Sequence, residues 1–157
     1  MVIVAPLEPL TVGESFVASK FPLHATLVPP FQVECDWPEL NAVVAGLSHR
    51  TDRLLADVIG QEGFGPDGSI KVALIRATDS IMNAHLQLIK VLMPLGWAAQ
   101  EGRYNGSGFR PHITGNDERH VLLGEHFILS EIALIEMLDP PTVRATHQMS
   151  GEGGTKK

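Results

Sequence analysis

Two short segments carry residues whose types and spacing suit acid-base chemistry on a phosphate. In FPLHAT, residues 21–26, Thr26 lies two after His24; in FRPHIT, residues 109–114, Thr114 lies two after His112. Each has Phe three before the histidine and a proline one or two before it, and the histidines are 88 positions apart in a 157-residue chain. An imidazole with an ordinary pKa near ~6.5 is available in both protonation states near neutrality, so a pair can supply one base and one acid. A neighbouring hydroxyl can hold a nonbridging phosphate oxygen, where charge gathers in the transition state.

Strand geometry decides which neighbours share a face with those groups, because successive side chains point to opposite sides. His24 and Thr26 share one face, against Leu23, Ala25 and Leu27 on the other. Arg110, His112 and Thr114 share a face, against Phe109, Pro111, Ile113 and Gly115. Each strand thus has an apolar side for packing under a helix and a polar side for a cleft. Arg110 is expected to add a cationic fork to a bound phosphate. Tyr104, in the glycine-rich loop just before the second motif, is a candidate for stacking on a base. Phe21 has the parity of the packing face and reads as core.

The elements that must position these groups are legible in outline. Alternation between Gly13 and Phe31 reads as strand, with Pro29 and Pro30 ending its second run. A helix opens at Asp36, with Glu39 three residues on and Pro38 in the first turn, and its apolar stripe runs from Leu40 to Val58. Pro66-Asp67-Gly68 marks a hairpin leading into a strand through Ile70, Val72 and Leu74. A second helix starts near Thr78 or Asp79, carries Ile81, His85, Leu88, Ile89 and Leu92 on one face, and stops at Pro94 and Gly96. His85 in that stripe reads as packing. After the second motif, residues 126–138 and 142–149 read as two further strand segments.

The order of strands, helix, strands, helix, strands implies an α+β fold. The duplicated motif implies a bilobal one: two antiparallel lobes related by a pseudo-twofold, with flanking helices and both histidines facing a central cleft. Residues 1–149 are expected to form one domain, and the glycine-rich, polar stretch 150–157 a disordered tail.

The paired tetrapeptides HATL and HITG, with this separation and element order, resemble the 2H phosphoesterase superfamily, which includes 2'-5' RNA ligase-like proteins and cyclic phosphodiesterases. The resemblance covers about residues 13–149. It implies that His24 and His112 are the acid-base pair and that Thr26 and Thr114 bind phosphate, without a metal or other cofactor. It implies as substrates 2',3'-cyclic phosphates, 2'-5' linkages or small cyclic nucleotides; an enzyme destroying cyclic oligonucleotide signals and a non-catalytic nucleotide-binding module are the alternatives. Gly115 departs from the family pattern, which has a hydrophobic residue after the threonine. Because position 115 points to the packing face, the glycine is expected to bend or end the strand.

Composition bounds the partners. A net charge of −6 with twelve dispersed Lys and Arg argues against long nucleic acid, whose binding needs clustered cations, and favours a nucleotide or short oligonucleotide. The single cysteine, Cys35, has no partner for an internal disulfide, so a reducing compartment, the cytoplasm, is expected. No apolar run approaches the ~20 residues of a membrane span, so no membrane partner is expected, and the chain reads as a monomer. Zinc is the rival use for the histidines, with His120, His126 and His147 as additional donors, but their spacing matches no familiar zinc pattern.

Overall fold

The computed structural model describes residues 1–150. The strands are β1 (Val2–Pro6), β2 (His24–Val28), β3 (Phe31–Gln32), β4 (Leu54–Phe64), β5 (Ile70–Ile75), β6 (Ala98–Ala99), β7 (His112–Thr114), β8 (His126–Leu129), β9 (Glu131–Glu136) and β10 (Thr142–Gln148), with helices α1 (Trp37–Arg50) and α2 (Asp79–Leu92). Eight strands form an antiparallel sheet ordered β10-β9-β1-β2-β7-β5-β4-β8, and β3 pairs with β6 in a separate ribbon. The expected tail lies outside the described residues except for Ser150, whose N–H donates to the Thr51 carbonyl at 2.8 Å.

The two lobes are the two four-strand halves of this one sheet. Counting outward from the centre, β2, β1, β9 and β10 mirror β7, β5, β4 and β8. The motif strands β2 and β7 are the central pair, joined with Ala25 opposite Ile113.

Local sequence explains the helices. Asp36 accepts the Glu39 N–H at 3.1 Å and caps α1, and Pro38 sits where no intrahelical N–H is needed. Thr78 caps α2 through the Ile81 N–H at 3.2 Å, and Gly96, at φ +83°, takes the left-handed conformation that ends the following turn. Both helices pack on one face of the sheet. Leu40, Val44 and Leu47 of α1 and Ile81, Leu88 and Leu92 of α2 share a core with Ala25, Leu27, Ala73, Ile113 and Leu134.

Three boundaries differ from the sequence reading. First, α1 ends at Arg50, and Leu54, Leu55 and Val58 belong to β4, where Leu54, Ala56 and Val58 are buried and Leu55 and Ile59 exposed. Leucines at 54, 55 and a valine at 58 fit a helical stripe and an alternating strand about equally. Second, residues 126–138 contain two strands, β8 pairing with β4 and β9 with β1, at different places in the sheet. Third, the strand assigned from Gly13 is β2 alone; before it lie a single bridge from Ser15 to Thr142 and a 3-10 turn, Ala18–Lys20.

That irregular segment has a packing role. Leu10, Phe16 and Phe21 cover Val2, Val4, Ala133, Ile135 and Val143 on the sheet face away from the helices. Strand β1 is therefore buried on both faces, all five residues, so VIVAP is a continuous apolar run rather than an alternating one. Among the described residues no helix is long and apolar enough to cross a membrane.

Candidate active site

The β2–β7 register sets the geometry of the motifs. With Ala25 opposite Ile113 in an antiparallel pair, His24 stands opposite Thr114 and Thr26 opposite His112. The four side chains form a two-by-two patch on one face, bordered by Val4 and Pro6 on β1 and by Val72 and Leu74 on β5. A twofold through the Ala25–Ile113 pair exchanges one motif for the other. The two histidines occupy diagonal corners, and diagonal neighbours on such a ladder are about 7–8 Å apart, a separation that a phosphate group bridges. Ala25 and Ile113 point the other way and are buried under the helices.

Both imidazoles are held by the same device. His24 Nδ1 is 2.8 Å from the Pro22 carbonyl, and His112 Nδ1 is 2.8 Å from the Arg110 carbonyl, each two residues back along the chain, just before its strand begins. A carbonyl only accepts, so Nδ1 carries the proton in each ring. That leaves Nε2 free to take a proton when the ring is neutral and to give one when it is charged.

The surroundings lower the basicity of both rings. Burial pushes the His24 pKa below its ordinary 6.5, opposed by the Pro22 carbonyl and reinforced by the nearby His112. Burial also pushes His112 down, opposed by the Arg110 carbonyl and reinforced by the Arg110 charge. Each ring also meets a phenylalanine. Phe21 lies 4.6 Å from the His24 ring, and Phe64 meets the His112 ring edge to face at 4.7 Å. Phe21 thus touches the candidate site as well as the core, because the chain before β2 is not a strand and its alternation does not apply.

Beyond His112 the patch opens into a cleft of about 380 Å³, lined by Thr26, Pro29, Pro30, Phe64, Tyr104, Phe109 and Arg110, among others. Tyr104, half exposed, is therefore on the same cleft as the second motif. Arg110 is at its rim, but its fork is engaged: two guanidinium nitrogens donate to Glu62 at 3.1 and 3.0 Å, and the group lies over the Phe64 ring at 5.2 Å.

The loop after the second motif reaches back to the first. Asn116 Nδ2 donates to the Phe21 carbonyl at 2.9 Å, while its Oδ1 accepts from the Glu118 and Arg119 N–H groups. Strand β7 ends at Thr114, as the glycine at 115 suggested. The packing reason is specific: a Cβ on Gly115 would lie 2.0 Å from His120 Nδ1.

Glu62, Phe64 and Asn116 were not legible as site residues. Phe64 and Glu62 reach the site because β4 and β5 form a long hairpin beside β7, a placement no local pattern carries. Asn116 follows the second motif closely, but nothing in the sequence says which carbonyl it meets. The additional histidines do not gather: His126 and His147 are on opposite edge strands, β8 and β10, and His120 is beside Gly115. His147 Nε2 bonds to Asn41 Oδ1 at 2.7 Å. Among the described residues no group of three His, Cys, Asp or Glu side chains is arranged to hold a metal.

No protein-family model matches the chain, and no curated protein matches its sequence. Solved structures do match its fold. TT0787 of Thermus thermophilus superposes with a TM-score of 0.63 at 19% identity, covering 97% of this chain and 100% of that one. A structure described as a phosphoesterase gives 0.56 at 14% identity, covering 88% and 82%. LigT of E. coli, solved with 3'-AMP, gives 0.53 at 13% identity, covering 91% and 84%. The chain has the α+β fold of these proteins, the fold class that the order of its elements and the paired motifs implied.

Proposed function

We propose that this chain is a metal-independent phosphodiesterase that cleaves, or in reverse forms, a nucleotide phosphodiester such as a 2',3'-cyclic phosphate or a 2'-5' linkage. The observation that carries the reading is the two-by-two patch, in which two imidazoles with the same pinned tautomer stand diagonally across one strand pair with a threonine beside each. In hydrolysis one neutral Nε2 takes a proton from water as its oxygen bonds to phosphorus. The other, charged, gives its proton to the ribose oxygen as the P–O bond breaks. The protons balance, and the pair is left with its roles exchanged. Thr26 and Thr114 donate to the nonbridging oxygens, and the site needs no reorganisation to do so.

The apolar cleft beside His112 suits the nucleoside, with Tyr104 and Phe64 as platforms for a base. That E. coli LigT, a protein of the same fold, has been solved with 3'-AMP and with NADP+ supports a nucleotide as the class of ligand. Arg110 would join the phosphate contacts only by leaving Glu62. The substrate is expected to be small, since the charge of −6 disfavours a long backbone.

The test is turnover in the presence of chelator of a panel comprising 2',3'-cyclic mononucleotides, 2'-5' oligomers and cyclic di- and trinucleotides. Turnover of the first two classes, lost in His24→Ala and His112→Ala, is the expected result. Binding of a panel member with no turnover by the intact protein would instead mark a non-catalytic module. Turnover confined to the cyclic oligonucleotides would assign the site to signal destruction.

A further inference from the structure

The cleft wall beyond His112 is held by a residue outside the cleft. His85, on α2, is 0% exposed, and both ring nitrogens are used. Nδ1 is 2.7 Å from the carbonyl of Leu27, the residue after Thr26, and Nε2 accepts the Gly106 N–H at 2.9 Å. The ring stacks on Phe109 with centroids 3.9 Å apart and planes 4° from parallel. Because the carbonyl accepts and the amide donates, the ring is neutral with its proton on Nδ1. One imidazole therefore touches the end of the first motif strand, the loop that carries Tyr104, and the residue three before His112.

The loop needs that anchor. Residues 101–108 bond largely to themselves, through Tyr104 N–H to the Glu101 carbonyl, Asn105 N–H to Gly102, and Gly108 N–H to Asn105. Gly108 lies so near Arg103 that a Cβ would sit 1.9 Å from its carbonyl oxygen. Among the described residues, apart from the bond of the adjoining Phe109 N–H to the Gly106 carbonyl at 3.1 Å, the Gly106–His85 bond is the one hydrogen bond that ties residues 101–108 to the rest of the chain. On the near side the loop is tethered by the β3–β6 ribbon and by Gln100 N–H to the Pro30 carbonyl at 2.9 Å.

We propose that His85 is a positioning residue for ligand binding, whose two hydrogen bonds and ring stack couple β2, the Tyr104 loop and Phe109 and so set the distance between the His-Thr patch and the apolar wall. The ligand part rests on the nucleotide reading above; the coupling itself does not. A histidine that only filled space on the apolar stripe would need neither hydrogen bond.

Two variants separate these roles. His85→Phe keeps a ring against Phe109 and removes both hydrogen bonds; His85→Gln keeps one donor and one acceptor and removes the ring. Amide hydrogen exchange, 3'-AMP titration and, on any substrate turned over, KM and kcat are measured for both. For His85→Phe, exchange within 101–108 is expected to speed by about tenfold or more while α2 and β7 keep wild-type rates, as loss of one local bond predicts. The 3'-AMP Kd and the KM rise by about tenfold with kcat within about threefold, and His85→Gln recovers part of both effects.

Exchange that rises evenly through the core, or a loop and Kd unchanged from wild type, would overturn the proposal. If His85→Phe does not fold, the glutamine variant decides: loop exchange faster than wild type but by less than about tenfold, with α2 and β7 at wild-type rates, supports the coupling, because the ring stack is lost while a donor and an acceptor remain, and wild-type loop exchange or a rise spread evenly through the core refutes it. If the intact protein neither binds nor turns over nucleotides, the phosphodiesterase reading falls, and the exchange pattern still judges the coupling.

Discussion

The two His-x-Thr motifs are alike where the chemistry would happen and different just outside it. Each imidazole is pinned through Nδ1 at 2.8 Å to the carbonyl two residues back, and each has a phenylalanine ring centred less than 5 Å away, at 4.6 and 4.7 Å. The sources of those rings differ. Phe21 comes from the first motif itself and is stacked with Phe16 over the β1-β9-β10 face. Phe64 comes from the tip of the β4–β5 hairpin, and the residue matching Phe21 in sequence, Phe109, is instead stacked on His85. The first motif is backed by core and by Asn116; the second opens on a cleft. A symmetric pair of imidazoles thus sits in an asymmetric receptacle, an arrangement that suits the proposed substrate, with a nucleoside on one side of its phosphorus.

The sharpest way to break the comparison is to remove each ring. His24→Ala and His112→Ala are each expected to lower kcat by about 10²–10⁴-fold while nucleotide Kd changes far less, because in the proposed mechanism each ring moves one of two obligatory protons. Steady-state kinetics on the two variants measures this; retention of wild-type kcat by either one would reduce the pair to a single catalytic group.

The pH profile comes next. Both rings are pushed below 6.5, so in the proposed mechanism the acid of the free protein loses its proton, and activity falls, as pH rises through a lowered pKa; the base gains one, and activity falls, as pH drops further. The kcat/KM profile is therefore expected to peak on the acid side of 6.5, and a peak above neutrality would contradict a lowered pKa in both rings. The same shifts set the sign for stability. Unfolded histidines bind protons near 6.5 and the folded ones only at lower pH, so stability, followed by denaturant unfolding, should fall as pH drops below about 6.5.

The two phenylalanines should then separate. Phe64→Ala is expected to raise KM by about tenfold with little loss of stability, since it removes a cleft wall. Phe21→Ala is expected to cost about 1–3 kcal/mol of stability, because it uncovers part of the sheet. Equal effects of both on KM would erase the asymmetry.

Arg110→Ala should have the smallest effect, within about threefold in KM, because Glu62 engages its fork in the free protein and an exposed pair contributes little. A larger effect in substrate kinetics would mean that the guanidinium leaves Glu62 for the phosphate.

How far the sequence reaches varies from residue to residue. The faces of both motif strands followed from alternation, the cap at Asp36 from short-range hydrogen bonding, and the start of the second helix near Thr78 or Asp79 from its apolar stripe, because those relations span a few residues. Strand β1 and the end of α1 were lost for a related reason: VIVAP is covered on both sides, and Leu54, Leu55 and Val58 satisfy two periods. Local pattern carries local geometry and is silent where burial comes from distant parts of the chain.

What the sequence determined by itself is the set of groups: two imidazoles, each with a hydroxyl two residues on and an apolar reverse side, in a chain with a repeated order of elements. The tertiary structure decided how they meet. Register across β2 and β7 put Ala25 against Ile113 and so placed the histidines on a diagonal rather than side by side. It also brought Phe64, Asn116 and His85, from three other elements, against the motif segments. Those contacts depend on strand pairing and helix packing between residues tens of positions apart, which no stretch of either motif encodes.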